Sequence, residues 1–210
     1  MKAVEHFKTI GEHRKLVRQG CFAVGLYYQG LTHDLSKYSP SEFLVGAKYY
    51  QGYRSPNNAE REATGFSSAW LHHKGRNKHH YEYWLDYSSE NGKGLIAARM
   101  PDKYIIEMFM DRIAASKTYN KGRYTDDLPL KYYLKGSPED FIEEHTRKTL
   151  EFLLRMLADK GEEACFEYIR TRILNKRIGT KIAQFLAHIK VTPCGPGRSL
   201  RGRRRRRGYR

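Results

Sequence analysis

The period of the apolar pattern is what most constrains this chain. Between residues 4 and 28, His6, Ile10, His13, Val17, Cys21, Val24 and Tyr28 recur at steps of three and four. That spacing puts them on one face of a helix. Gly11, Gly20 and Gly25 weaken that helix locally. The rhythm returns after Pro101 in Ile105, Ile106, Phe109 and Ile113, predicting a helix over 102–117. Two Ser-Pro pairs mark helix starts. Ser39-Pro40-Ser41-Glu42 offers an N-cap, a proline at the first helical position and a glutamate three residues after the cap, and predicts a helix over 40–50. Ser137-Pro138-Glu139-Asp140 predicts another over 141–160, with Gly161 as its stop. Residues 59–73 read as one helix or two short pieces, and 162–190 as two more, parted near 176–179. No stretch alternates at period two, and 88–99 reads as an exposed loop. The expected fold is all-α, a single helical domain over residues 1–190.

Charge separates a body from a tail. The formal net charge is +16, and half of it comes from eight arginines in residues 193–210, a stretch with no acid. Arg203 to Arg207 are consecutive, and there is almost nothing to bury, so residues 191–210 are expected to be a disordered basic tail. Such a block binds phosphate backbones without regard to sequence, so non-specific nucleic acid is a candidate partner through residues 198–210. The longest apolar run, 21–28, falls far short of the roughly 18 residues of a membrane helix. The first residues carry no apolar signal core. Three scattered cysteines, Cys21, Cys165 and Cys194, argue against a disulfide framework or a cysteine zinc site. Together these features point to a cytoplasmic protein without a membrane span. The oligomeric state is not legible.

Seven of the nine histidines lie in the first 80 residues. In chain order the notable groups are His13, His33-Asp34, His72-His73, His79-His80 and then Asp111. Imidazoles and carboxylates are the usual ligands of divalent zinc, iron and manganese. Adjacent His33 and Asp34 can give one ion two ligands, or bridge two ions through the carboxylate. His72 and His73 would point about 100° apart on a helix, so one of them is expected to face an ion. His6 shares a face with His13 and is the substitute first ligand. Glu107 lies one turn before Asp111 and would orient a ligand histidine or serve as a general base. The blander readings are solvated histidine pairs, an Asp111 ion pair with Arg112 or Lys103, and a half-exposed His145 on the 141–160 helix.

His33-Asp34-Leu35-Ser36-Lys37 resembles the His-Asp-x-x-Lys step of HD-domain metal-dependent phosphohydrolases, and the order of histidines and aspartates resembles their two-metal versions. His79-His80-Tyr81-Glu82-Tyr83-Trp84 is similar to the His-His-Glu-x-Trp stretch of the HD-GYP subgroup with its Glu displaced by one. The Gly-Tyr-Pro that names that subgroup is absent. A closer resemblance is to a family of short bacterial and phage proteins of unknown function, which shares the strings from His33 to Phe43 and from Trp70 to Trp84, and Met100-Pro101 leading to Glu107 and Asp111. The resemblance to HD domains implies an HD-like helical fold. It also implies one or two divalent ions held by His33, Asp34, His73, His79, His80 and Asp111, with His13 and His72 as further candidates. Lys37 falls in the motif as a catalytic or phosphate contact. Arg76, Asn77 and Lys78 are candidates for phosphate oxygens, or are surface charge and, for Asn77, a turn residue. The implied reaction is hydrolysis of a phosphoester, most plausibly of a nucleotide. Of the surrounding aromatics, Tyr38, Tyr49, Tyr50, Tyr53, Trp70, Tyr81, Tyr83, Trp84 and Tyr87, one or two are candidates to stack on its base, against core or surface packing as the blander reading of each. The rival expectation is a nucleic-acid-binding protein without catalysis, using the basic surface and tail.

Overall fold

The computed structural model describes residues 2–136 and 141–174. Their fold is all-α apart from one small hairpin. The long first stripe does not run on to residue 28. Helix α1 (Lys2–Ala23) stops where Gly25 takes φ +83. There Leu26 N–H bonds back to Cys21 O (2.8 Å) and Gly25 N–H to Phe22 O (3.1 Å), the paired closing bonds of a glycine-ended helix. Helix α2 (Tyr27–Thr32) follows, then a tight turn over Leu35–Tyr38 and helix α3 (Pro40–Lys48). The stretch read as one helix or two is two: α4 (Pro56–Thr64) and α5 (Ser68–Lys74), parted by Gly65 at φ +84.

A hairpin of β1 (Leu85–Tyr87) and β2 (Leu95–Ala97) corrects the expected loop over 88–99. It pairs antiparallel with Leu85 opposite Ala97 and Tyr87 opposite Leu95. Three-residue strands are too short to show a period. Helix α6 (Asp102–Asn120) outruns its predicted end by a turn. Helix α7 (Leu128–Gly136), for which no sequence signal was read, docks through buried Tyr133, whose hydroxyl donates to Glu151 (3.0 Å). Helix α8 (Glu144–Tyr168) begins with the Glu143 carboxylate accepting from the N–H groups of His145 and Thr146. The predicted starter, 137–140, lies outside the described residues. Gly161 kinks α8 at φ 79, ψ 176 but does not end it, and a wider-turned segment, Ile169–Leu174, continues beyond.

Helix α6 is the axis of the fold. Ile105 to Met110 are buried without interruption, the mark of a helix covered on every side. Val17 and Cys21 of α1 and Leu150, Leu153, Leu154 and Leu157 of α8 complete the core with it. Gly20 lets α1 approach α6 closely, since a Cβ there would stand 2.8 Å from Met110 Sδ. These residues belong to one compact unit, Met1–Lys176. The rest of the expected 1–190 domain, the 191–210 tail and Cys194 lie outside the described residues. No described helix is long and apolar enough to cross a membrane.

Candidate metal centre

Asp34 stands at the middle of the site. It follows α2 in the left-handed region (φ 55, ψ 27), which aspartate tolerates better than most residues. Arg14 of α1 fixes the preceding loop, donating from Nε to His33 O (2.8 Å) and from Nη2 to Leu31 O (3.2 Å). The carboxylate is 1% exposed and its two oxygens face different partners. Oδ2 lies 3.2 Å from His33 Nε2, 3.6 Å from His13 Nε2 and 2.5 Å from Lys37 Nζ. Oδ1 lies 3.2 Å from His73 Nε2 and 3.3 Å from His79 Nε2. Asp111 Oδ1 closes the first side, 2.9 Å from His13 Nε2 and 3.6 Å from His33 Nε2.

Two donor sets therefore share Asp34. One is His13, His33, Asp34 and Asp111, and the other is Asp34, His73, His79 and His80. Within each set the donor atoms lie within 4.8 Å of one another. Nε2 of His13, His33, His79 and His80 and both Asp34 oxygens are buried, and none makes a hydrogen bond of acceptable geometry. They approach one another without aiming at one another, as ligands of a common ion do. Tetrahedral and octahedral shells with bonds of about 2.0–2.2 Å put neighbouring donors about 2.8–3.6 Å apart. The approaches to Asp34 and Asp111 run from 2.9 to 3.6 Å, so the residues fit divalent ions by spacing and by donor chemistry.

Two glutamates set the rings. Glu107 Oε1 lies 3.0 Å from His33 Nδ1 and 3.1 Å from His79 Nδ1. Glu42 binds His73 Nδ1 through Oε2 and His72 Nδ1 through Oε1, both at 2.7 Å. An ionised carboxylate only accepts, so each of these Nδ1 atoms carries a proton. With Nδ1 so engaged, Nε2 is the ring nitrogen that His33, His73 and His79 turn towards Asp34, at 3.2, 3.2 and 3.3 Å. Burial disfavours every charge here, and partners outweigh it. His33, Lys37 and His73 hold Asp34 well below the usual carboxylate range, and His13 and His33 do the same for Asp111. His33 and His79 lower Glu107, and His73 and His72 lower Glu42. In return Asp34 raises His33 and His73 despite their burial. His80 goes the other way: burial, with His79 and His73 beside it, keeps the ring neutral. Among the described residues, Lys37 is the one lysine or arginine ion-paired with these four carboxylates, an imbalance that favours added cations.

The other sequence candidates fall elsewhere. His72 turns to Glu42 and is in neither donor set, so of the adjacent pair it is His73 that faces the cluster. His6 is packed against Phe43 and Tyr50, and a Cβ on Gly46 would lie 2.3 Å from its Nε2. Burial, with Lys37 near, pushes His6 down to about 4, and His13, not His6, lies in a donor set. Both Asn77 amide protons are engaged, by Ser36 Oγ and His73 O at 2.8 Å each, which fits the turn-residue reading of Asn77. Arg76 and Lys78 are exposed, the first donating to His72 O and the second lying over the Tyr83 ring. His145 meets Arg99 and Asp102 instead of the cluster. Of the two roles read for Glu107, the geometry supports the orienting one.

Residues 2–156 match a described family, the family of unknown function DUF5662. The chain belongs to this family. The DUF5662 match contains both donor sets and the two glutamates behind them. No curated protein and no solved structure matches the chain.

Proposed function

We propose that this DUF5662 protein is a metal-dependent hydrolase of phosphoesters, acting on a nucleotide. The observation that carries the reading is the pair of donor sets meeting at the two oxygens of Asp34, with inward nitrogens left without hydrogen bonds. The order His13, His33-Asp34, His73, His79-His80, Asp111 is similar to that of two-metal HD-domain phosphohydrolases, and this resemblance is what points to phosphoester chemistry. His13, His33, Asp34 and Asp111 would hold one ion; Asp34, His73, His79 and His80 the other. Zinc, manganese and iron all suit these ligands. Bound ions of this kind activate water and neutralise charge on a phosphate.

The chain's own groups do the rest. Glu107 and Glu42 hold the imidazole protons at Nδ1 and so keep Nε2 free to ligate. Lys37, with its side chain 29% exposed beside Asp34, offers an ammonium to phosphate oxygens at the open edge of the cluster. Asp111, 18% exposed, also reaches solvent. A site with a solvent-facing edge suits substrate entry better than the closed four-ligand shell of a structural ion.

Elemental analysis of untagged protein, purified without chelator, tests the reading. We expect one or two equivalents of a transition metal in the wild type and none in a His33→Ala/Asp34→Ala double variant. Asp34→Asn, which keeps a side chain that tolerates the left-handed backbone, should lose the metal while retaining its helical circular dichroism. Metal-loaded wild type should then release phosphate or an alcohol from a nucleotide. Absence of bound metal in the wild type, with no uptake on reconstitution, overturns the reading.

A further inference from the structure

Two adjoining surface hollows of about 660 and 320 Å³ share Gly52, Tyr53 and Lys121, and neither is lined by a residue of the donor sets. Their walls come from the start of α1, residues 50–53, the end of α6 and the turn Lys121–Arg123. Both flanks lead back to the donor sets. The Tyr50 hydroxyl shares a 2.7 Å hydrogen bond with Thr9, one turn before His13 on α1. Tyr119 lies two turns after Asp111 on α6, within electrostatic range of Lys37, Asp111 and Tyr50. At 1.5 Å per residue these offsets are about 6 and 12 Å along the two helices.

We infer that this depression seats the nucleoside of a nucleotide whose phosphate lies at Asp111 and Lys37. The inference rests on the hydrolase reading and names the substrate part that its site recognises. Tyr50, Tyr53 and Tyr119 give planar faces for a base, and stacking on such faces is indifferent to base identity. Lys2, Lys121 and Arg123 attract an anionic ligand, and Glu5 is the single acid lining either hollow among the described residues. The backbone adds an independent sign. Lys121 holds φ 47, ψ −124, a conformation in which glycine is relaxed and lysine is strained. Strain of this kind gathers at ligand sites, where the side chain retained is what matters.

The test compares adenosine 5′-thiomonophosphate, which resists hydrolysis, with inorganic thiophosphate, by titration of the intact manganese-loaded protein. The wild type should bind the nucleotide at least tenfold more tightly than thiophosphate. Tyr53→Ala, at a side chain 65% exposed, and Lys121→Gly, which relieves the backbone, should each reduce that preference fivefold or more. Manganese content and thiophosphate affinity should stay unchanged, and Lys121→Gly should melt no lower than the wild type. No preference in the wild type, or an undiminished one in both variants, overturns the inference. A chain that takes up no manganese yet binds the nucleotide in a Tyr53-dependent way overturns the hydrolase reading and keeps the nucleoside seat.

Discussion

Glu107 Oε1 receives the Nδ1 protons of His33 and His79, and so ties one histidine of each donor set to a single atom. Glu107→Gln keeps the shape of that residue and removes its charge. We expect metal affinity to fall about 10–100-fold with the fold retained, read by competition against a chelator of known strength. Affinity equal to the wild type would mean that Glu107 does not set the rings. The inward histidines and aspartates were legible because adjacency and order are properties of the string. Glu42 was not. As the third residue after Ser39 it reads as half of a capping box, yet Ser39 makes no side-chain cap bond and the Glu42 carboxylate goes to His72 and His73. Thirty residues separate these partners, and only the packing of α3 on α5 joins them. For Asn77 the sequence left a phosphate contact and a turn residue both open, and its bonds to Ser36 and His73 fit the turn reading.

At the scale of elements, the elbow between α4 and α5 aims His73. Glu60, buried midway along α4, accepts from Ser67 Oγ (2.5 Å), Ser68 N–H (2.9 Å) and Ser68 Oγ (2.6 Å) at the start of α5. Burial alone would raise this carboxyl, but the serine hydrogen bonds outweigh it and hold it below the ordinary glutamate value of 4.5. A carboxyl lowered by folding contributes its full stability above that ordinary value and loses it as pH falls through the folded one. Glu60→Gln should therefore cost about 1–3 kcal/mol at pH 7, with the gap to wild type closing as denaturation curves are taken below pH 4.5. A pH-independent gap would remove the charge from the explanation. The helices with a stripe and a punctuated start were readable from sequence. The hairpin and α7 were not, because three-residue strands and a nine-residue helix owe their form to what they pack on. Gly161 was read as a stop because its left-handed preference is visible, whereas the helical turns that resume beyond it depend on buried Cys165 and Ile169.

At the scale of the whole molecule, the donor sets gather α1, the α2–α3 connection, α5 with the turn after it, and α6. An ion bound there restrains four separate parts of the chain at once and is absent from the unfolded state. Manganese at about a hundred times its dissociation constant adds about 2.7 kcal/mol. For a domain of this size that raises Tm by about 5–10 °C, and a chelator should reverse the shift in a melting scan. A Tm indifferent to both would separate the cluster from metal binding. The same layout sets a timetable during synthesis. The set ending at His80 is complete before α6 exists, whereas the set that begins with His13 waits for Asp111. At about 5–20 residues per second, that wait lasts roughly 5–20 s. Through it, α1 carries an imidazole whose final neighbours have not yet been made, and a nascent chain released early would keep one half of the centre without the other.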